Sequence, residues 1–311
     1  MPFLERHQVA LYVAALALGG VLGVTAPGAG PVLEHAISPA LAALLYVTFL
    51  QVPAVELVRS LRAGRFLGAA LVVNFVVVPL VVAALSGFLP ADRAVRLGVL
   101  LVLLAPCVDY VIVFSTLAGG SGERLLAATP LLLLAQMVLL PGYLFLFLGP
   151  DLAKVVDTGP FVEAFLVLIV VPLTLAWLTQ AWASRRVSDA VGVAMVPLMV
   201  VTLLTVVASQ IPKLDSTDRL NDVLRVVPLY TAFLIVMPFA ALAVVRLFHL
   251  GTRDGRAIIF TAATRNSLVV LPLALSLPDP FAVAGVVVVT QTLVEVVGMV
   301  VYVRVVPWLL R

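Results

Sequence analysis

Long apolar segments follow one another along almost the whole chain and constrain its fold more than any other feature. A bilayer-spanning helix needs roughly 20 mostly apolar residues. About ten segments approach this length: 8–25, 36–57, 66–89, 97–118, 125–148, 161–182, 190–211, 226–248, 257–277 and 281–306. They lack the alternation that is typical of membrane β-strands. An α-helical bundle is the other structure that satisfies its backbone in lipid, so the sequence predicts an all-α polytopic membrane protein.

Composition and charge agree with this prediction. The chain is 63% hydrophobic and 11% charged, whereas soluble domains are about 45–50% apolar and about 25% charged. The first apolar segment follows Arg6 and His7, and we interpret it as a retained helix rather than a signal peptide because further spans follow it. The net charge of +3 gives no reason to expect a nucleic-acid partner, and the lipid bilayer is the expected surrounding.

Orientation follows from the Lys and Arg residues, which concentrate in cytoplasmic loops. With the N-terminus inside, most of these residues fall on the cytoplasmic side, including Arg59, Arg62, Arg185, Arg186 and Arg253. The sequence therefore predicts a multi-pass protein of the cell membrane with both termini in the cytoplasm.

Cysteine and histidine usage excludes several kinds of site. Cys107 is the only cysteine, so an internal disulfide and a cysteine-cluster metal site are excluded. His7, His35 and His249 fall at span ends or in loops. No cofactor signature is present, and none is expected.

An internal repeat organises the chain into two halves. Residues 47–53 read VTFLQVP and residues 206–212 read VVASQIP, which places their Gln-x-Pro triplets 159 positions apart. The same shift aligns three more pairs: Pro79 with Pro238, Cys107 with Asn266, and Gln136 with Glu295. Apolar helices also align by chance, which is the alternative. We predict two five-helix repeats, 1–150 and 151–311, and an odd number of spans inverts the second repeat relative to the first.

Spans 4 and 9 each combine a helix breaker with an ionisable residue. Span 4 carries APCVDY, with Pro106 and Asp109, and span 9 carries TAATRNSLVVLP, with Arg265 and Pro272. Proline inside a helix removes a hydrogen bond, and a charge at membrane depth is costly unless it is paired or faces a cavity. We predict that both helices are broken near the membrane midplane, where inverted-repeat transporters bind their substrates. Ordinary proline kinks are the alternative.

The intramembrane charges are candidates for function. Asp109 and Arg265 are interpreted as partners across the pseudo-two-fold axis, either as a substrate site or as a purely structural lock. Glu295 lies in TQTLVEVVGMV, with no basic residue within a turn or two along its helix. Because burial disfavours an ionised carboxylate, Glu295 is predicted to carry a proton, with a hydrogen-bonded structural role as the alternative.

Several uncharged residues complete the candidate site. Gln51, Asn74, Gln136 and Gln291 can join neighbouring helices by hydrogen bonds. A buried cysteine often acts as a small hydrophobic residue, but Cys107 lies beside a helix break, where a thiol can bind a soft ion. One thiol binds weakly, which suits a carrier that must release its cargo.

At these residues the chain resembles a known group. LLAPCVDYVIVFSTLAGG resembles the cysteine-bearing fourth helix of the arsenical-resistance permeases, which belong to the bile acid/arsenite/riboflavin transporter superfamily. NFVVVPL, TAATRNSLVVL and TQTLVEVVGMVVYV resemble that family's third, ninth and last helices. The resemblance implies proton-coupled export of arsenite or antimonite, with Cys107 contacting the metalloid and Glu295 carrying the proton. Asn266, in the stretch that resembles the family's Asn-bearing ninth helix, is a further candidate for substrate binding.

Two other functions compete with arsenite export. Sodium-coupled relatives of bile-acid-symporter type carry Glu-Thr-Gly-x-Gln-Asn in the ninth helix, where this chain reads Thr-Ala-Ala-Thr-Arg-Asn. A fixed cation at Arg265 disfavours Na⁺ there, so the runner-up is a sodium-independent carrier of a small organic anion. An intramembrane enzyme with Cys107 as nucleophile would need an adjacent base, and no histidine is expected at membrane depth.

Overall fold

The fold is described from a computed structural model of the chain. The structure describes residues 2–50, 64–108, 110–149, 159, 163, 166–182, 193–214, 217–277 and 281–310. Its α-helices are α1 Pro2–Thr25, α2 Gly30–Leu50, α3 Gly64–Val72, α4 Val78–Leu85, α5 Arg93–Leu103, α6 Val111–Leu117, α7 Gly122–Leu148, α8 Val171–Trp182, α9 Met195–Gln210, α10 Thr217–Leu247, α11 Thr252–Ala263, α12 Ser267–Leu275 and α13 Val283–Leu309. The prediction of an all-α membrane protein is confirmed.

Seven helical segments in the described part of the chain are long and apolar enough to cross a membrane. They are His7–Thr25, Pro27–Leu50, Gly64–Phe88, Gly122–Leu148, Met195–Lys213, Val223–Leu247 and Val283–Leu309. Two further predicted segments, 97–118 and 257–277, are each divided into two shorter helices. The predicted segment 161–182 is described continuously only from residue 166 onward.

The helices pack as two groups. In the first group, α9 packs against both α1 and α2, and α8 packs against α2. In the second group, α13 packs against α5, α10 and α12, and α10 packs against α11. The groups meet where α9 contacts α13 and where α2 contacts α12.

Small residues allow the helices to approach closely within each group, as is common in membrane bundles. A Cβ added to Gly19 of α1 would lie 2.8 Å from the carbonyl oxygen of Leu204 in α9. A Cβ added to Gly98 of α5 would lie 2.9 Å from the carbonyl oxygen of Ala284 in α13. Larger side chains at either glycine would push these helix pairs apart.

A π-helical turn, Val73–Val77, joins α3 to α4. The helical segment continues through this turn as one span, Gly64–Phe88. Such turns insert an extra residue into an α-helix and often mark functional sites. The turn contains Asn74, which is fully buried, and the carbonyl oxygen of Phe75 accepts a hydrogen bond of 2.5 Å from the Tyr143 hydroxyl of α7. The π-helical turn therefore directs Asn74 toward the protein interior.

Candidate functional site

The two interrupted helices cross at an extended segment of each. Between α5 and α6, Pro106 forms an antiparallel bridge with Arg265, which lies between α11 and α12. The backbone N–H of Cys107 donates to the carbonyl oxygen of Thr264 at 3.3 Å, and that of Asn266 donates to Ala105 at 2.8 Å. We call residues 104–108 and 264–266, with their flanking helix ends, the crossing.

Local sequence explains why both helices stop at the crossing. A proline restricts the residue before it to extended backbone, and α5 accordingly ends at Leu103, shortly before Pro106. On the other side, Thr264 is extended, with ψ of 140°. The side-chain oxygen of Asn266 then accepts from the N–H of Val269 at 3.2 Å and caps α12.

The pattern of the bridge also determines which N–H groups remain available. Pro106 and Arg265 are directly opposite each other, and the two bridge hydrogen bonds are made by their neighbours. In such a pair the N–H groups of the opposed residues point away from the bridge. Proline is therefore tolerated at position 106, and the N–H of Arg265 is left to bind another group.

The Arg265 guanidinium is fully buried between the C-terminal ends of α5 and α11. Its Nη2 lies 2.6 Å from the carbonyl oxygen of Thr261 and 2.7 Å from that of Ala262, in the last turn of α11. Its Nη1 lies 3.4 Å from the carbonyl oxygen of Leu103, at the end of α5. Carbonyl groups at a helix C-terminus carry partial negative charge, so both helix ends stabilise the cation.

Asn74 and Phe233 complete the surroundings of this guanidinium. The Asn74 side-chain oxygen accepts from Nη2 at 2.9 Å, while its amide nitrogen donates to the carbonyl oxygen of Ala70 and the hydroxyl of Thr261. The centre of the Phe233 ring lies 5.6 Å from the guanidinium carbon, within the range of a cation–π interaction.

Glu295 of α13 binds the opposite side of the same segment. Its carboxylate accepts from the backbone N–H of Arg265 at 2.7 Å and from the Tyr110 hydroxyl at 2.5 Å. A third hydrogen bond comes from the side-chain amide of Gln291, one turn earlier on α13. The sequence suggested an isolated carboxylate, but the structure surrounds it with donors from three elements.

The other residues predicted for the site take different positions. Cys107 is buried, and its backbone joins the bridge. Asp109 lies outside the described residues, so its expected pairing with Arg265 stays a prediction. Pro272 was expected to break its helix, but it lies inside α12, which continues to Leu275. The interruption lies instead at 264–266, where backbone pairing with the other segment replaces helical hydrogen bonds.

Of the two remaining glutamines, only Gln136 can be compared with the expectation. Gln51 lies outside the described residues. Gln136 was expected to join neighbouring helices, yet neither its amide nitrogen nor its side-chain oxygen has a hydrogen-bond partner among the described residues, although the residue is fully buried. Tyr110 and Thr261 contribute to the site and were not singled out beforehand. Their position inside the two polar stretches was the available signal.

The crossing is closed to solvent in this conformation. Every described residue from 97 to 111 is buried, and so is every residue from 257 to 271. An apolar groove elsewhere, between α10 and α13, is lined by Pro238, Val297 and Tyr302 among others. None of its lining residues belongs to the crossing. Because the crossing itself is buried, a solute could reach it only after the helices move.

Comparison with known proteins identifies the family. The sodium bile acid symporter family model matches residues 38–216, which is more than half of the chain. The chain belongs to the sodium bile acid symporter family. The matched residues include the first interrupted helix, while Arg265 and Glu295 lie beyond them. A search of curated proteins finds no match to the chain.

Membership in the sodium bile acid symporter family fixes the general activity. Members of this family are transporters and not enzymes, which removes the basis for Cys107 as a catalytic nucleophile. The apolar helices and the family together make this chain a multi-pass membrane transporter of a small solute.

Proposed function

We propose that the chain is a secondary transporter that exports arsenite or antimonite from the cell in exchange for protons. In this proposal it resides in the cell membrane with both termini in the cytoplasm. It uses no cofactor, and its partners are the lipid bilayer, the metalloid and protons. The observation that carries the proposal is the crossing, which brings the only thiol of the chain and a buried glutamate to one pair of interrupted helices.

We further propose ten spans in two inverted repeats, 1–150 and 151–311. The crossing supports this architecture because the bridged residues Pro106 and Arg265 are 159 positions apart, the spacing found for the sequence repeat. The two bridge hydrogen bonds are also images of each other. Exchanging each residue for its repeat partner converts the bond from Cys107 to Thr264 into the bond from Asn266 to Ala105.

Helix packing supports the same symmetry. Under the 159-residue shift, α1 corresponds to the region of α8 and α2 to that of α9. The contact of α1 with α9 then becomes the contact of α8 with α2, and both contacts are present. Alternating access would move the group of α1, α2, α8 and α9 relative to the group that holds the crossing, as in other inverted-repeat carriers.

Cys107 is proposed as the metalloid contact. A thiolate is a soft ligand, and the backbone of Cys107 is fixed by its bond to Thr264. Asn266, the repeat partner of Cys107, lies beside it across the bridge, and its side-chain nitrogen has no hydrogen-bond partner among the described residues. This amide could donate to an oxygen of arsenite while the sulfur binds the arsenic.

Glu295 is proposed as the proton carrier. Its carboxylate and the Cys107 segment are linked through Tyr110 on one side and Arg265 on the other. Protonation of Glu295 would weaken its acceptance of these hydrogen bonds, since a neutral acid is a poorer acceptor than a carboxylate. The proton would thereby change how firmly the crossing is held and could release the cargo.

The environment of Arg265 does not favour the organic-anion alternative. Recognition of an anion needs guanidinium N–H groups that face the ligand, yet Nη1 and Nη2 are both directed at protein oxygens. Asp109 and Arg265 are retained as a proposed structural or substrate-binding pair.

Uptake of arsenite into everted membrane vesicles tests the proposal. With an imposed proton gradient, vesicles that contain the wild-type protein should accumulate arsenite, and a protonophore should abolish the accumulation. Cys107→Ser should reduce the accumulation to the level of vesicles that lack the transporter. Val108→Ala is the matched control, because Val108 is equally buried in the same extended segment and its truncation leaves the thiol in place. Accumulation that is absent in wild type, or unchanged by Cys107→Ser, would contradict the metalloid role.

A further inference from the structure

The oxygens around the Arg265 guanidinium have the composition of a cation site. They are three backbone carbonyls, those of Leu103, Thr261 and Ala262, and the side-chain oxygen of Asn74. Neutral carbonyl and amide oxygens are hard ligands of the kind that bind hard cations. The carbonyls belong to the C-terminal ends of two half-helices, and such ends coordinate transported cations in inverted-repeat carriers.

The geometry resembles coordination of a point charge more than recognition by a planar guanidinium. One nitrogen, Nη2, has three oxygens within 2.9 Å, although it carries only two hydrogens. In contrast, Nε has no hydrogen-bond partner among the described residues. Where a planar guanidinium is recognised through parallel N–H···O hydrogen bonds, Nε is expected to donate one of them. Here the oxygens converge on the terminal nitrogen, as they would on an ion.

We propose that the guanidinium of Arg265 is a tethered cation that permanently fills a monovalent-cation site in the crossing. The site neutralises the ends of α5 and α11 without binding an ion from solution. The wild-type protein therefore needs no free cation at this position. Removing the side chain leaves the four oxygens in place and creates a site that a small free cation can occupy.

The backbone explains why the oxygen set should survive loss of the guanidinium. Leu103, Thr261 and Ala262 present their carbonyls because the helices end there, and these ends are fixed by the bridge between 106 and 265. Asn74 is held separately by its donations to Ala70 and Thr261. None of these restraints uses the Arg265 side chain.

Thermal unfolding of purified protein in detergent tests this inference without any cargo, so that its outcome is independent of arsenite transport. Wild type and Arg265→Ala are compared in chloride salts of sodium, potassium, guanidinium and choline at equal ionic strength and low denaturant concentration. Choline is too large for the site and provides the baseline.

The expected result is a selective rescue. The melting temperature of wild type should be the same in sodium, potassium and choline, because its site is already filled. Its small decrease in guanidinium, which is a denaturant, is the baseline for that salt. Arg265→Ala should melt lower in choline and should gain a saturable increase of about 2–4 °C in sodium or guanidinium. Arg265→Lys, which carries a shorter tethered cation, should melt between the two and respond to none of the salts.

Asn74→Ala in the Arg265→Ala background is the matched control, because it removes one of the four oxygens and should abolish the salt response. If Arg265→Ala cannot be purified, Arg265→Gln keeps more of the side-chain volume without the charge and takes its place. An arginine variant that melts identically in all four salts would overturn the inference. So would a wild-type protein that is stabilised by sodium relative to choline.

Discussion

Glu295 and Gln136 occupy matching positions of the proposed repeat, 159 residues apart, yet their surroundings are opposite. Both are fully buried, in α13 and α7. Glu295 accepts hydrogen bonds from Arg265, Tyr110 and Gln291, whereas Gln136 has no partner among the described residues. In the proposed repeat, each half contributes one extended segment to the crossing, but a hydrogen-bonded polar centre surrounds only one of the two matching positions.

Under the proposed repeat, the partners of the three donors account for this difference. The position that corresponds to Arg265 is Pro106, which has no N–H to donate. The positions that correspond to Gln291 and Tyr110 are Leu132 and Val269, whose side chains are apolar. The described residues provide no hydrogen-bond partner at position 136. An acid buried there without donors would be strongly unfavourable, and glutamine is the less costly residue.

The contrast between Glu295 and Gln136 is tested most strongly by Glu295→Gln, which should have the largest effect on proton-driven flux. The variant keeps the size of the side chain and one acceptor oxygen, so we expect it to fold, but it cannot take up a proton. Proton-driven flux in sealed vesicles should fall to background, and the small flux that remains should not respond to external pH. Glu295→Asp, which shortens the side chain but can still be protonated, is the control and should retain pH-dependent flux. Full pH-dependent flux in Glu295→Gln would remove Glu295 from the proton pathway.

A smaller effect of opposite sign is expected from Gln136→Leu. A buried polar group without a partner costs about 1–3 kcal/mol, and leucine removes both unpartnered atoms of Gln136. The variant should therefore melt at or above the temperature of wild type. Gln136→Glu is the contrasting variant and should melt lower, because the described part of the chain provides no donors to stabilise a carboxylate there.

Transport separates two reasons for keeping Gln136. If flux is unchanged in Gln136→Leu, the glutamine is tolerated at this position and has no role in transport. If flux falls while the melting temperature rises, the Gln136 amide contacts the substrate during transport. A melting temperature well below that of wild type would mean that Gln136 has partners after all, and the contrast with Glu295 would be lost.

The smallest effect is expected from Pro106→Ala. The N–H that alanine introduces points away from the bridge, so the two bridge hydrogen bonds should persist. The expected cost is about 0.4–1 kcal/mol, since alanine has more conformational freedom than proline in the unfolded chain. Chemical or thermal unfolding measures this difference.

Cys107→Pro is the matched comparison for Pro106→Ala, with Cys107→Ala as its baseline. Proline at 107 removes the N–H that donates to Thr264 and should destabilise the protein much more than Pro106→Ala does. Equal losses in the two variants would show that the bridge contributes little to stability.

Sequence patterns were sufficient for the larger features of the fold. Apolar length predicted the helices, and the pairing of Pro106 with Arg265 has the spacing that the Gln-x-Pro triplets suggested. These features are repetitive or local. Pro272 shows the limit, because a proline inside a short helix and a proline in an extended segment look alike in one dimension.

The contacts of the site could not be predicted in the same way. Asn74 meets Arg265 across 191 positions of sequence, and Tyr110 meets Glu295 across 185. Such pairs depend on how far each helix is rotated where the two segments cross. The sequence also could not predict that Gln136 has no hydrogen-bond partner among the described residues, because this depends on which side chains the neighbouring helices place around it.

The π-helical turn at Val73–Val77 makes the span before the crossing sensitive to chain length. Each residue advances a helix by about 100° of rotation. Loss of one codon within this turn would allow a regular α-helix to form, at little cost to the span itself. Either Asn74 would then face away from Arg265, or all of α4 would present a different side to its neighbours. A family member that lacked this residue would have to anchor its buried cation by other means, so the turn should be inherited together with Arg265.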